Sequence, residues 1–371
     1  MKTESFLGIV ALAILLSVHS AACVKKSRLT GPRERATANP PAESTSPISF
    51  ASTRTVTAFV TSPVRASYFY DYMPTSHVDS LAASGMNRAI IKWIADSLTS
   101  RGATELRNFT TRGAARGVEI APSWALHGPT RLKALATTRR YTWSQAKTVE
   151  PEVGCPMDKV FLRSALLDRA NEIFAVAPGV KRVVVDLELY SGSRHHYDAG
   201  PCRCAACIRE YRSIRGSKPT LEKSEEQRLT TILTSYFTEF ATAHPGVEVG
   251  FFDLDFNSFF HRAMALATVK AKVATHDYTE RTYRTGASDA AAAKSVLTGL
   301  GVNAPVTGGL ILMSFTPAEL TAEAKAMADR TGGYFIFSTY SLWADPSKRL
   351  GRYALQGTPT EYWSAFRAAN E

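Results

Sequence analysis

Apolar, β-branched runs recur along the chain at fairly even spacing, and stretches with a helical period lie between them. The runs are TVTAFVT (55–61), NRAIIKWI (87–94), VEIAPSWA (118–125), KRVVVDLELY (181–190), VEVGFFDLDF (247–256), KAKVATHDY (270–278), VTGGLILMSF (306–315) and GYFIFSTYSLW (333–343). Segments 76–84, 97–116, 158–177, 221–244, 286–300 and 317–331 read as helices, and 359–369 closes the chain. Strands that are apolar almost throughout belong to a parallel sheet covered on both faces. Eight of them, each followed by a helix or a short surrogate, predict an α/β fold: a single (β/α)8 TIM barrel rather than an open doubly wound sheet. No G-x-G-x-x-G turn follows the first run, which argues against a dinucleotide site. Two connections are long, 126–157 after the third run and 191–220 after the fourth. Both fall on the C-terminal face, where barrel enzymes place their sites.

The N-terminus breaks the pattern. Residues 1–22 join a short start bearing Lys2 to an apolar stretch from Phe6 to Val18 and then small residues, the layout of an export signal peptide. The stretch is too short for a membrane span. Cleavage after Ala22 leaves Cys23 first, which resembles a bacterial lipoprotein signal, although Ser20 stands where such signals usually carry Leu. On that reading the protein is exported and anchored to a membrane through a lipid on Cys23, and otherwise periplasmic or extracellular. Residues 23–54 are rich in Pro, Ser, Thr and basic residues and read as a disordered tether. Residues 55–371 form the barrel domain, long enough for one large core.

The formal net charge is +11. A good part of it sits in the tether, where Lys25, Lys26, Arg28, Arg33, Arg35 and Arg54 outnumber Glu34 and Glu43. The rest is spread out, with no aromatic-interleaved basic patch, so no nucleic-acid partner is expected. A basic exterior suits anionic lipid or polyanionic glycan, or is simply a solvated surface.

The fourth run ends D-L-E-L-Y, and a two-residue period puts Asp186, Glu188 and Tyr190 on one face. The fifth places Asp253 and Asp255 together, and the sixth ends in His276, Asp277 and Tyr278. Five carboxylates at the ends of three adjacent strands are costly to bury without a task or a partner. Pairing with Arg or Lys, or helix capping, accounts for some; Lys92, at the end of the second run, pairs with a carboxylate or forms a Schiff base. Glycosidic-bond cleavage needs such a group: one acid protonates the leaving oxygen, and a second carboxylate or a substrate acetamide meets the anomeric carbon. A metal-dependent hydrolase built on His276 with Asp253 and Asp255 is a further possibility. No G-x-S-x-G, H-E-x-x-H or phosphate-loop motif is present.

The D-x-E that closes the fourth run resembles the end of the signature of family 18 chitinases, H-D-Y of the sixth is similar to their Tyr-Asp pair, and Trp343 falls near their last-strand tryptophan. The resemblance implies Glu188 as general acid, Asp186 orienting a substrate acetamide, and Asp277 with Tyr278 helping to hold it. Lys181 and Val184 replace the two earlier aspartates of that signature, and Arg182 its glycine. Asp253 is a further catalytic candidate. Tyr190, Asp255, His276, Trp124 and Trp343 are candidates for carbohydrate binding, the aromatics by stacking on sugar rings. His195 and His196 lie in the loop after the fourth run, solvated or in reach of an acidic sugar.

P-C-R-C-A-A-C (201–207) clusters three of the five cysteines. Cys202, Cys204 and Cys207 with Cys155 supply four thiolates, a tetrahedral structural zinc set. Two disulfides are the alternative in an exported chain, and a redox Cys-x-x-Cys a third. The spacing resembles the zinc site of family 42 β-galactosidases, but the seventh run ends L-M-S-F, with no glutamate nucleophile. The expected function is an exported glycoside hydrolase-like enzyme acting on a polysaccharide or glycan. A non-catalytic glycan-binding barrel lipoprotein is the alternative.

Overall fold

The computed structural model describes residues 63–93, 98, 100–126, 135, 139–142, 149–187, 200–214, 219–253, 257–279, 286–343 and 354–371. The chain runs through β1 (Val64–Tyr70), α1 (His77–Ala83), β2 (Arg88–Lys92), α2 (Ser100–Arg116) and β3 (Glu119–Ala125). A hairpin of β4 (Arg140–Thr142) and β5 (Val149–Gly154) follows, then α3, in which Lys159–Arg163 and Arg169–Val176 are joined by a π-helical turn at Ser164–Asp168. Next come β6 (Arg182–Asp186), α4 (Ala205–Ile214), α5 (Leu221–Ala243), β7 (Glu248–Asp253) and α6 (Phe259–Ala271). The chain ends with β8 (Thr275–Thr279), α7 (Gly286–Gly299), β9 (Val306–Ile311), α8 (Pro317–Arg330), β10 (Gly333–Phe337) and α9 (Pro359–Asn370).

Eight parallel strands close in the order β1-β10-β9-β8-β7-β6-β3-β2, and β4-β5 stands apart as an antiparallel pair. The expected (β/α)8 barrel is thus present, with one change at its start. The first strand is Val64–Tyr70; the run 55–61 lies outside the described residues, as do residues 1–22 and the tether. No helix among the described residues is long and apolar enough to cross a membrane.

Strand alternation divides the side chains into two sets. Val64, Ala66, Tyr68, Ile90, Ala121, Val184, Phe252, Tyr278 and Phe335 fill the barrel interior. Side chains of the opposite alternation, such as Phe69, Ile91, Trp124, Val185 and Phe251, join the larger core between strands and helices. Gly250 makes room inside: a Cβ there would stand 2.9 Å from the Tyr278 ring and 3.0 Å from Val184.

The helices start on local signals. Thr316 and Thr358 each close a capping box, with Glu319 and Glu361, ahead of Pro317 and Pro359. The π turn of α3 offers the Ala165 carbonyl to the Trp124 indole N–H at 2.7 Å, so a group freed by the irregular turn is paired from the sheet.

Candidate functional site

The interior-facing positions at the C-terminal ends of the strands form the mouth. On β6, Arg182, Val184 and Asp186 share the inner side, because Val184 belongs to the interior set. On β2, Arg88, Ile90 and Lys92 do the same. Lys92 and Asp186 meet there as an ion pair, with Asp186 only 2% exposed. A carboxylate so deeply placed needs a cation near it, and Lys92 supplies it.

Rings from the β1, β7 and β10 side complete the mouth. Tyr68 packs against Phe337 at 5.1 Å and Phe252 at 5.8 Å. Tyr70 stacks in parallel on Tyr72, centroids 5.3 Å apart, and Tyr340 meets both edge-on at 5.6 Å. Tyr72 is 59% exposed. The Y-F-Y-D-Y spacing of residues 68–72 was the signal for this cluster, three tyrosines on one side of a strand and its extension.

Several candidates lie elsewhere, and the reasons are geometric. Glu188, Tyr190 and Asp255 fall outside the described residues, together with His195 and His196. Asp253 and Asp277 do not face the mouth: Phe252 and Tyr278 take the interior, so these acids turn toward α6. There they flank His261, whose Nδ1 is 3.0 Å from Asp253 Oδ2 and whose Nε2 is 2.8 Å from Asp277 Oδ2. Burial opposes a charge on His261, but the two carboxylates outweigh it and hold the imidazole up to about 10. His261, a buried-side polar residue in the otherwise mostly apolar F-F-H-R-A-M-A-L, was the unread sign of this triad.

His276 and Tyr278 do face inward, but below the mouth. His276 lies near the N-terminal end, its Nε2 2.6 Å from Thr307 Oγ1, and burial with Arg182 and Arg88 nearby pushes its pKa well down. It does not converge with Asp253, which corrects the metal-hydrolase arrangement. Tyr278 is fully buried in mid-barrel and accepts from Arg88 Nη1 at 2.8 Å. Trp124 is 1% exposed and points to the helix layer, not to the mouth. Trp343 follows a short 3-10 turn after β10, 42% exposed, edge-on to His77 at 5.3 Å.

The floor of the barrel is charged. Glu119 Oε2 accepts from Arg88 Nη2 at 2.9 Å and its Oε1 from Arg182 Nε at 2.9 Å, while Arg182 also pairs with Glu248. Burial raises the Glu119 pKa, but the two guanidiniums overcome it and the net direction is down.

On the rim, the β4–β5 hairpin meets the start of α4. The Sγ atoms of Cys155, Cys202, Cys204 and Cys207 all lie within 4.8 Å of one another. Cys155 and Cys207 are 3.4 Å apart and Cys155 and Cys204 3.9 Å. Disulfide sulfurs sit at about 2.05 Å, and all four cysteines are free, so none of the three two-disulfide pairings is formed. A tetrahedron with metal–sulfur bonds of about 2.3 Å has S···S edges of about 3.8 Å, which the cluster fits. Backbone N–H groups of Thr142, Cys204 and Cys207 point at Cys202 and Cys204 sulfurs at 3.5 Å, and Arg139 Nη2 at Cys207 Sγ at 2.9 Å. Such donors offset the charge of a thiolate set. Arg203 N–H to the Thr142 carbonyl, 2.9 Å, ties the same two segments through the backbone.

No known family model matches the sequence, and no curated protein matches it. Solved structures do. A β-galactosidase from the psychrophilic Marinomonas ef1 superposes with a TM-score of 0.58 at 9% identity, over 82% of this chain and 58% of that one. The α-L-fucosidase isoenzyme 2 from Paenibacillus thiaminolyticus gives 0.46 at 8%, over 82% and 48%. A β-N-acetylhexosaminidase from Bacteroides fragilis gives 0.47 at 13%, over 83% and 66%. These neighbours are glycoside hydrolases, and at such identities the likeness is one of fold. The chain spans about half to two thirds of their length.

Proposed function

We propose that this barrel is a glycoside hydrolase-like enzyme whose site lies at its mouth. The observation that carries the reading is the buried Asp186–Lys92 pair, flanked by aromatic rings at the C-terminal ends of the strands, with Tyr70 beside Lys92 and Phe252 beside Asp186 in register. Rings that stack on the apolar faces of sugars beside a fixed carboxylate are what glycosidic chemistry asks for. The barrel shared with the Marinomonas β-galactosidase is compatible with that chemistry but does not choose it, since this fold hosts many reactions.

In this proposal Asp186, fixed by Lys92, orients the substrate, an acetamido group where the sugar carries one. Glu188, two residues on in the sequence, delivers the proton to the leaving oxygen. Asp253 and Asp277 take no part, because His261 holds both. The four cysteines hold a structural zinc that clips the rim together and supplies no chemistry to the reaction. The signal-like N-terminus and Cys23 extend the proposal to an exported, lipid-anchored protein.

A second reading has its own support. Among the described residues no other carboxylate faces inward at the C-terminal end of a strand, and β9 runs into Leu312, Met313 and Ser314. A barrel that binds glycan without cleaving it fits that scarcity.

Reducing-end release from a panel of glycans, chitin and peptidoglycan included, separates the two. Release by the wild type that collapses in Glu188→Gln and falls in Asp186→Asn supports the hydrolase. Binding without release supports the second reading and removes the acid role from Glu188.

A further inference from the structure

A groove of about 510 Å³ opens between the segment after β1 and the face of α2, lined by Asp71, Tyr72, Arg101, Glu105, Asn108 and Phe109 among others. It lies beside the mouth, because the residues that line it follow Tyr70, which is paired in register with Lys92. The Asp71 N–H donates to the Lys92 carbonyl at 3.0 Å, and Lys92 is the partner of Asp186. Tyr72 lines the groove and rests on Tyr70 at the edge of the mouth. Its ring is held on one side by the parallel ring of Tyr70, with interplanar angle 4°, and edge-on by Tyr340. A large aromatic side chain, more than half exposed yet fixed by two other rings, keeps its free surface at no further ordering cost.

Resting on the carbohydrate reading above, we propose that Tyr72, braced by Tyr70 and Tyr340, is a stacking platform for a sugar unit beyond the mouth. The structure assigns the α2 groove to the continuing chain of a neutral glycan. Two features of the groove define that ligand. A flat ring matches pyranosides whose C–H groups form a continuous apolar face, as in β-linked glucosyl or N-acetylglucosaminyl chains. The charged groups in the groove, Arg101 against Asp71 and Glu105, with Arg101 and Glu105 paired at 3.1 Å, give no cationic excess to attract a polyanion. Asn108 adds an amide able both to donate to and to accept from sugar hydroxyls. The protein therefore reads chain length: an oligosaccharide reaching from Asp186 past Tyr72 binds more tightly than one confined to the mouth.

The test is calorimetric titration of the full chain with cellohexaose, chitohexaose, their disaccharides and oligogalacturonate, for the wild type, Tyr72→Ala and Tyr72→Phe. At least one neutral hexasaccharide is expected to bind about tenfold more tightly than its disaccharide. Tyr72→Ala is expected to lose most of that difference, and Tyr72→Phe to keep it because the ring remains. Equal hexasaccharide affinity in wild type and Tyr72→Ala overturns the platform while leaving the carbohydrate reading in place. Loss in Tyr72→Phe equal to that in Tyr72→Ala overturns stacking as its mechanism. Preference for oligogalacturonate overturns the neutral assignment, and no binding of any sugar overturns both the platform and the reading beneath it.

Discussion

His261 Nε2 stands 2.8 Å from Asp277 Oδ2, and the same ring reaches Asp253 at 3.0 Å through Nδ1, all three groups buried between β7, β8 and α6. The triad uses carboxylates that would otherwise be counted with the mouth. It also joins two neighbouring strands to the helix that connects them.

Removing the cation leaves two buried acids facing each other, which costs about 3–5 kcal/mol for an ion group of this kind. His261→Leu is expected to lower the melting temperature sharply. The pH dependence has a definite sign. The folded His261 pKa, about 10, lies above the ordinary 6.5. Its contribution is therefore full below about pH 6.5 and is lost as pH rises through about 10. Melting temperatures between pH 6 and 10.5 should fall more steeply in the wild type than in His261→Leu; parallel curves would contradict the charged triad.

Glu119 behaves in the opposite sense. Its folded pKa lies below 4.5, so its contribution is present above that value and is lost as pH falls through the lowered one. Glu119→Gln strips the shared partner from Arg88 and Arg182 and is expected to cost about 3 kcal/mol or more. Denaturant titrations at pH 7 and pH 3.5 check this: the gap between variant and wild type should narrow at the lower pH.

Lys92 and Asp186 should show coupling in a double-mutant cycle. Lys92→Met and Asp186→Asn each leave the other side chain without its partner, while the double variant removes both ends. A coupling energy of about 1–3 kcal/mol in thermal unfolding is expected for such a pair. Additive effects would mean that the pair does not anchor Asp186.

The cysteine cluster predicts one equivalent of zinc per chain by elemental analysis of the purified protein. Cys155→Ser is expected to lose the metal and lower the melting temperature, with thiols that react freely only after chelation in the wild type. Two disulfides by mass spectrometry, with no bound metal, would overturn the zinc assignment.

The strands after the first were legible because a sheet covered on both faces writes each strand as an apolar run. That same property hid which way the acids point. In F-F-D of β7, Phe251 and Phe252 are both buried, so the pattern alone does not say which takes the interior. Asp253 and Asp277 were therefore placed on the wrong side, and Trp124, equally apolar in context, with them. The first strand was placed too early because Arg65 and Ser67 interrupt V-R-A-S-Y-F-Y. In the fold, Arg65 N–H donates to Asn87 Oδ1, and Ser67 Oγ pairs with Thr339 Oγ1 at 2.6 Å. The cysteine cluster could be read because three of its members sit within six consecutive positions; the hairpin that brings Cys155 to them left no comparable mark.

Cys155 and Cys202 also have a topological consequence. Between them the chain forms all of α3 and β6, so the proposed metal, if shared by the two, would close a loop of roughly fifty residues that holds one helix and the strand after it. A cross-link over such a span removes about 4 kcal/mol of conformational freedom from the unfolded chain. The strand bearing Asp186 would then lie within the closed loop, its two flanks tied to each other even when the chain is unfolded.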